Sequence, residues 1–145
     1  MSRIIFSVVL VTLTCCFTHG QGPLEGEAKH VPVLVAWEGI IGLEQRKDSP
    51  DAQCITDQVA WKKLWELWRP KEQVPEVNFT DAIVLVGLTG TPNKVRIGAA
   101  IDTEGNLVAQ IASTLIGGAS KKTFHYQFGV ISRIGIKSIS QELRR

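Results

Sequence analysis

The chain has 145 residues, a mass of 15.9 kDa, 44% apolar and 21% charged residues, and a formal net charge of +2. The length allows one domain and the composition excludes a disordered chain. The small charge excludes a strong field toward nucleic acid or anionic membrane, and three cysteines cannot all pair within the chain.

Arg3 precedes an uncharged apolar run, Ile4 to Phe17, and Thr18-His19-Gly20 ends on a small residue. This layout predicts a secretory signal peptide over residues 1–20, cleaved after Gly20. Fourteen residues at about 1.5 Å each reach only about 21 Å, short of the ~30 Å hydrocarbon core, so a membrane anchor is not expected. A lipid anchor on Cys15 or Cys16 would need a small residue just before the cysteine, where Thr14 and Cys15 stand. The mature chain is expected in the periplasm or outside the cell, without a membrane span. Cys54 is then its single cysteine. It reads as a small buried hydrophobe just ahead of a helix; the alternative is a free nucleophile or an intermolecular disulfide.

Residues 21–30 are polar, with Gly22, Pro23 and Gly26, and read as a flexible tether. From Val31 to Leu43 the chain is apolar and β-rich. Val33, Val35, Trp37, Ile41 and Leu43 share one parity, which predicts one or two strands bent at Gly39 or Gly42. Glu44 to Gln53 carries charges, Ser49 and Pro50, the pattern of an exposed loop. Asp57 to Arg69 is the convincing helix, with Thr56 as N-cap and Pro70 as its stop. Ala60, Trp61, Leu64, Trp65, Leu67 and Trp68 fill an arc of roughly 160°, opposite Lys62, Lys63, Glu66 and Arg69; Val59 alone breaks the pattern.

Lys71 to Thr80 reads as an extended crossing. Ala82 to Leu88 is continuously apolar, the mark of a central strand covered on both faces. Thr89 to Asn93 is a turn. Lys94 to Asp102 alternates as a strand, Thr103 to Asn106 makes a hairpin with glycine at the left-handed position, and Leu107 to Ile116 is the partner strand. After a loop at 117–122, Thr123 to Ile131 alternates with Phe124, Tyr126, Phe128 and Val130 on one side. Ile134, Ile136 and Ile139 suggest a last strand. Residues 31–140 thus read as a single α+β domain, one amphipathic helix packed on a mainly antiparallel sheet of five or six strands, followed by a polar tail at 141–145.

Motifs for chemistry are sparse. Trp61, Trp65 and Trp68 form an i, i+4, i+7 stripe, which is expected to be core rather than an aromatic platform for sugar or peptide. Asn78-Phe79-Thr80 fits the N-glycosylation pattern, which a bacterial source would leave unused. His30 and His125 are the histidines beyond the signal region, and no HxxxH, HxH or CxxC spacing supports a metal site. His125 falls on the strand parity opposite Phe124 and Tyr126, toward solvent. No G-x-S-x-G elbow is present, and Gly117-Gly118-Ala119-Ser120 lacks the strand–elbow–helix context. Gly87 to Lys94 lacks the P-loop spacing, and Lys121-Lys122 is too small a basic patch for nucleic acid. No catalytic, cofactor-binding or metal-ligating residue is assigned.

Ile55-Thr56 followed by Trp61 and Leu64-Trp65, then Pro75-Glu76-Val77-Asn78-Phe79 and the strand Ile83 to Val86, resembles the C-terminal domain of PrcB-like proteins. These are secreted or lipid-anchored bacterial proteins, named for an accessory subunit of a surface protease complex. The likeness covers about residues 54–140. Asn78 stands where the family prefers aspartate, and Thr89 to Val95 lacks its Gly-Gly-Tyr-like turn. The resemblance implies a non-enzymatic secreted domain and carries over no catalytic residues.

The expected function is therefore a non-catalytic secreted or envelope accessory module, binding another secreted protein such as a protease and taking no cofactor. The alternatives are a small hydrolase using His125 with Cys54 or a serine, and a small-ligand-binding domain.

Overall fold

The computed structural model describes residues 28–50, 53–89, 94–113 and 122–139. The expected signal peptide at 1–20, residues 21–27 of the expected tether, positions 51–52 of the expected loop, 90–93 of the expected turn, 114–116 of the expected second hairpin strand, 117–121 of the expected loop after it and residues 140–145 lie outside the described residues.

Among the described residues eight strands form two sheets rather than the single sheet expected. One has the order β1 (Lys29–Val31), β5 (Val95–Ile101), β6 (Asn106–Ser113), β8 (Ser138–Ile139). The other has the order β2 (Val33–Gly42), β7 (Thr123–Ser132), β4 (Ala82–Thr89), β3 (Cys54–Ile55). All pairings are antiparallel except β6 with β8. Helix α2 (Gln58–Trp68) covers the outer face of the second sheet, so the order of layers is sheet, sheet, helix.

The chain changes sheet at Pro32. Val31 pairs with Ala99 in one sheet, and Val33 pairs with Ile131 in the other. Proline lacks the N–H a continuous ladder needs. A register shift between Val33 and Val35 follows at once. It explains why residues of one parity part company: Val33 packs between the sheets, while Trp37 and Ile41 pack under the helix. An extra residue at a bulge moves the following side chains to the other face. Lys29 and His30 belong to β1 and not to the tether.

Two cores result, with β4 and β7 contributing to both. Val84, Val86, Phe124, Tyr126, Phe128 and Val130 meet α2, whereas Ile83, Leu85 and Ile131 meet Val31, Ala99, Ile101 and Leu107 of the other sheet. The run Ala82 to Leu88 of β4 is apolar throughout because both of its faces are covered, as its sequence indicates.

Under the helix, Trp61 and Trp65 are 0% and 1% exposed. Trp61 meets Phe128 edge-on at 5.0 Å, and Trp68 stacks on it at 5.4 Å. Trp37 closes the group against Trp61 and Trp65 at 5.7 and 5.3 Å. The helical indoles reach backbone acceptors: Trp61 Nε1 donates to the Pro75 carbonyl, Trp65 Nε1 to Glu72, and Trp68 Nε1 to Gln45. The stripe is core. Residues 70–81 wrap beside it, with Val74, Val77 and Phe79 packed against the same cluster.

Several boundaries differ from expectation. Asp57, not Thr56, caps α2: its Oδ1 accepts from the Ala60 N–H at 2.8 Å. The presumed loop at 44–53 begins with one helical turn, α1 (Leu43–Arg46), where Gln45 Oε1 accepts from the Gly42 N–H at 3.0 Å. Leu43 is exposed on that turn and does not continue the strand parity. The last strand shrinks to Ser138–Ile139, because the chain turns at 133–136 and leaves Ile134 84% exposed. The hairpin at 102–106 is present. Gly105 takes φ +93°, a left-handed conformation that favours glycine. Asp102 Oδ1 accepts from the Glu104 and Asn106 N–H groups at 2.9 and 2.8 Å.

Candidate functional site

The sequence singles out His125, Cys54 and Asn78, and the fold places them apart. His125 is half-buried on β7, opposite Ile40 of β2 and Thr89 of β4. It borders a cavity of about 220 Å³ with Glu38, Gly39, Ile40, Lys94, Val95 and Tyr126. Cys54 pairs with Leu85, which pairs with Gly129, four residues along β7 from His125. Two strand spacings and four residues put them on the order of 16 Å apart, too far for a thiol–imidazole pair.

Cys54 is half-buried against the inter-sheet core, and burial pushes its thiol above the usual range. That is the behaviour of a small hydrophobe and not of an activated nucleophile. It stands in β3, directly ahead of the helix as expected. Asn78 is exposed on a turn, where its Oδ1 accepts from the Thr80 N–H and its Nδ2 donates to Asp81 at 2.7 Å. His30 is exposed on β1. Among the described residues no group of three or more His, Cys, Asp or Glu could hold a metal ion, and no helix is long and apolar enough to cross a membrane.

The surface that stands out is the free side of β2. The strand is ten residues long and pairs with β7 on one side; among the described strands none pairs with the other. The other edge strands among the described residues are shorter: β3 and β8 have two residues each, and β1 has three. Among the described residues, the large apolar side chains exposed on strands all lie on β2. They are Leu34 and Ile40, each 59% exposed, and Val35 at 48%. Glu38 is its one charged residue. Such an edge is a template for another strand, which natural edges commonly block with lysine, proline or shortness.

Local contacts show which backbone groups face out. The Glu38 carbonyl accepts from Arg69 Nη1 at 3.0 Å, and the Gly42 N–H donates to Gln45. In an antiparallel strand the N–H and C=O of one residue point the same way, alternating along the chain. Ala36, Glu38 and Ile40 therefore direct their backbone groups away from β7.

Arg69 is held in place from several sides. Its Nε and Nη2 donate to Glu72 at 2.9 and 2.7 Å, its Nη1 also donates to the Tyr126 hydroxyl at 3.0 Å, and its guanidinium lies over Trp65. Tyr126 reaches it across Gly39, where a Cβ would stand 2.5 Å from the hydroxyl oxygen. Burial pushes the Tyr126 phenol up, and Arg69 works against that shift. The Glu38 side chain turns to Lys94, whose hydrogen bond and charge hold its carboxyl below the usual range.

Sequence reasoning found β2 but not its exposure. The run Val33 to Gly42 carries one charge in ten residues, a signal of low protection, yet edge or centre is decided by pairing partners far along the chain. Comparison of the chain with models of protein families, with curated proteins and with solved structures finds no match.

Proposed function

We propose that this chain is a non-catalytic, exported accessory module that binds another secreted protein, and that the free edge of β2 is its contact. The observation that carries this is the ten-residue strand with no strand paired on its other side among the described residues, and with Leu34, Val35 and Ile40 exposed along it. A partner segment in extended conformation would take its backbone bonds from Ala36, Glu38 and Ile40 and set its side chains beside the apolar ones. The signal-like N-terminus and the resemblance of residues 54–140 to PrcB-like proteins support the same reading, with a surface protease as the partner class.

The test is affinity capture of the chain from its native envelope under mild cross-linking, alongside Ile40→Lys. A partner held by the wild type and lost from the variant is expected. A charge at an exposed edge position disfavours strand addition and leaves both cores intact. Capture that ignores Ile40→Lys, or no capture, overturns the reading. Labelling by serine- or cysteine-directed activity probes that vanishes in His125→Ala would overturn its non-catalytic part.

A further inference from the structure

We propose that the free edge of β2 also pairs with β2 of a second copy of this chain, antiparallel about a two-fold axis at Trp37, joining two four-stranded sheets into one of eight strands. This rests on the assignment of β2 as a binding edge and names an occupant for it.

Self-complementarity of the strand selects the occupant and the register. With Trp37 on the axis, Leu34, at the register shift of the strand, falls beside Ile40 of the second copy and Ile40 beside its Leu34. The two most exposed apolar residues of the strand then cover each other twice. Ala36 lies opposite Glu38, so no like charges face each other, and each Glu38 keeps its own Lys94. Moving the axis to Glu38 sets the two carboxylates in opposition, which is unfavourable. Moving it to Ala36 puts Leu34 opposite Glu38. The backbone agrees with the axis at Trp37, since Ala36 and Glu38 both face outward and exchange two hydrogen bonds as a pair. Arg69 does not prevent this: a carbonyl has two lone pairs, and Arg69 takes one at Glu38.

Sedimentation of the purified chain over a concentration series, with Ile40→Lys in parallel, measures the association. A concentration-dependent dimer is expected, with its dissociation constant raised at least about tenfold in the variant, equivalent to ~1.4 kcal/mol. Register is read by oxidation in a Cys54→Ser background. Ala36→Cys combined with Glu38→Cys is expected to give a disulfide-linked dimer, because these two outward-facing residues form a hydrogen-bonded pair across the axis, about 5.5 Å apart between Cα atoms and within disulfide reach. Ile40→Cys alone is expected to give none. A monomer at every concentration, a dimer indifferent to Ile40→Lys, or efficient linkage through Ile40→Cys alone overturns the proposal. Unchanged thermal unfolding of Ile40→Lys confirms that the variant is folded. A monomeric chain that still captures a foreign partner through Ile40 overturns self-pairing and leaves the proposed function standing.

Discussion

At the scale of single residues, two positions show how one atom or one proton is felt. Gly39 lets the Tyr126 hydroxyl cross β2 to reach Arg69, and a Cβ there would sit 2.5 Å from that oxygen. Gly39→Ala is expected to displace the ring and cost about 1–3 kcal/mol, the usual range for overpacking. Gly42→Ala, whose nearest neighbour would be Gln45 Oε1 at 3.8 Å, provides the control. Chemical denaturation of both variants checks it, and equal midpoints would refute the steric role. Asp102 shows the protonic case. Hydrogen bonds from the Asn106 side chain and backbone hold its carboxyl below the usual range. A depressed carboxyl contributes stability that is present above its unfolded value, near pH 4, and lost as pH falls through the lower folded value. Asp102→Asn is therefore expected to flatten the acid side of the melting-temperature profile. Glu38, depressed by Lys94, contributes with the same sign in both proteins. A parallel acid limb in the variant would show that Asp102 carries no such linkage.

At the scale of elements, α2 is an amphipathic lid whose stability comes from the face it buries. Trp61, Leu64, Trp65 and Trp68 are buried, whereas Lys62 and Glu66 form an exposed pair at 3.8 Å. Trp65→Ala is expected to cost about 3–5 kcal/mol, as large aromatic deletions from a core do. Lys62→Ala is expected to cost no more than about 0.5 kcal/mol. Thermal melts rank the two, and equal melting temperatures would contradict the buried stripe. The helix boundary was only half legible. Thr56 and Asp57 are both good caps by residue type, and the backbone at Asp57, extended at φ −142° and ψ 155°, decides between them.

At the scale of the whole molecule, the topology is dominated by distant pairings. Trp37 meets Phe128, and Val31 meets Ala99. Closing such loops costs chain entropy before any contact rewards it. Folding is therefore expected on the millisecond-to-second scale typical of β-sandwich proteins. Stopped-flow tryptophan fluorescence reports it directly, since all three helical indoles enter the core on folding. Microsecond folding would mean that local contacts dominate instead.

Period and local chemistry settled a good deal from the sequence alone. The tryptophan face of α2, the parity of Phe124, Tyr126, Phe128 and Val130, the two-sided burial of the run Ala82 to Leu88 and the turn at Gly105 are each properties of a short stretch. Two-sided burial of β4 was itself a hint of a second layer, but a strand can be covered by helices or by another sheet with the same apolar run. Tertiary structure decided which. It also decided the corner at Pro32 and the register shift after Val33, which together send residues of one parity into two cores. The candidate site lay beyond sequence reading for the same reason. Leu34 and Ile40 look like core residues in the chain, yet they join neither core and stand exposed on a strand that pairs only with β7 among the described residues. A strand becomes an edge through what the rest of the chain fails to bring beside it, and no local pattern encodes that.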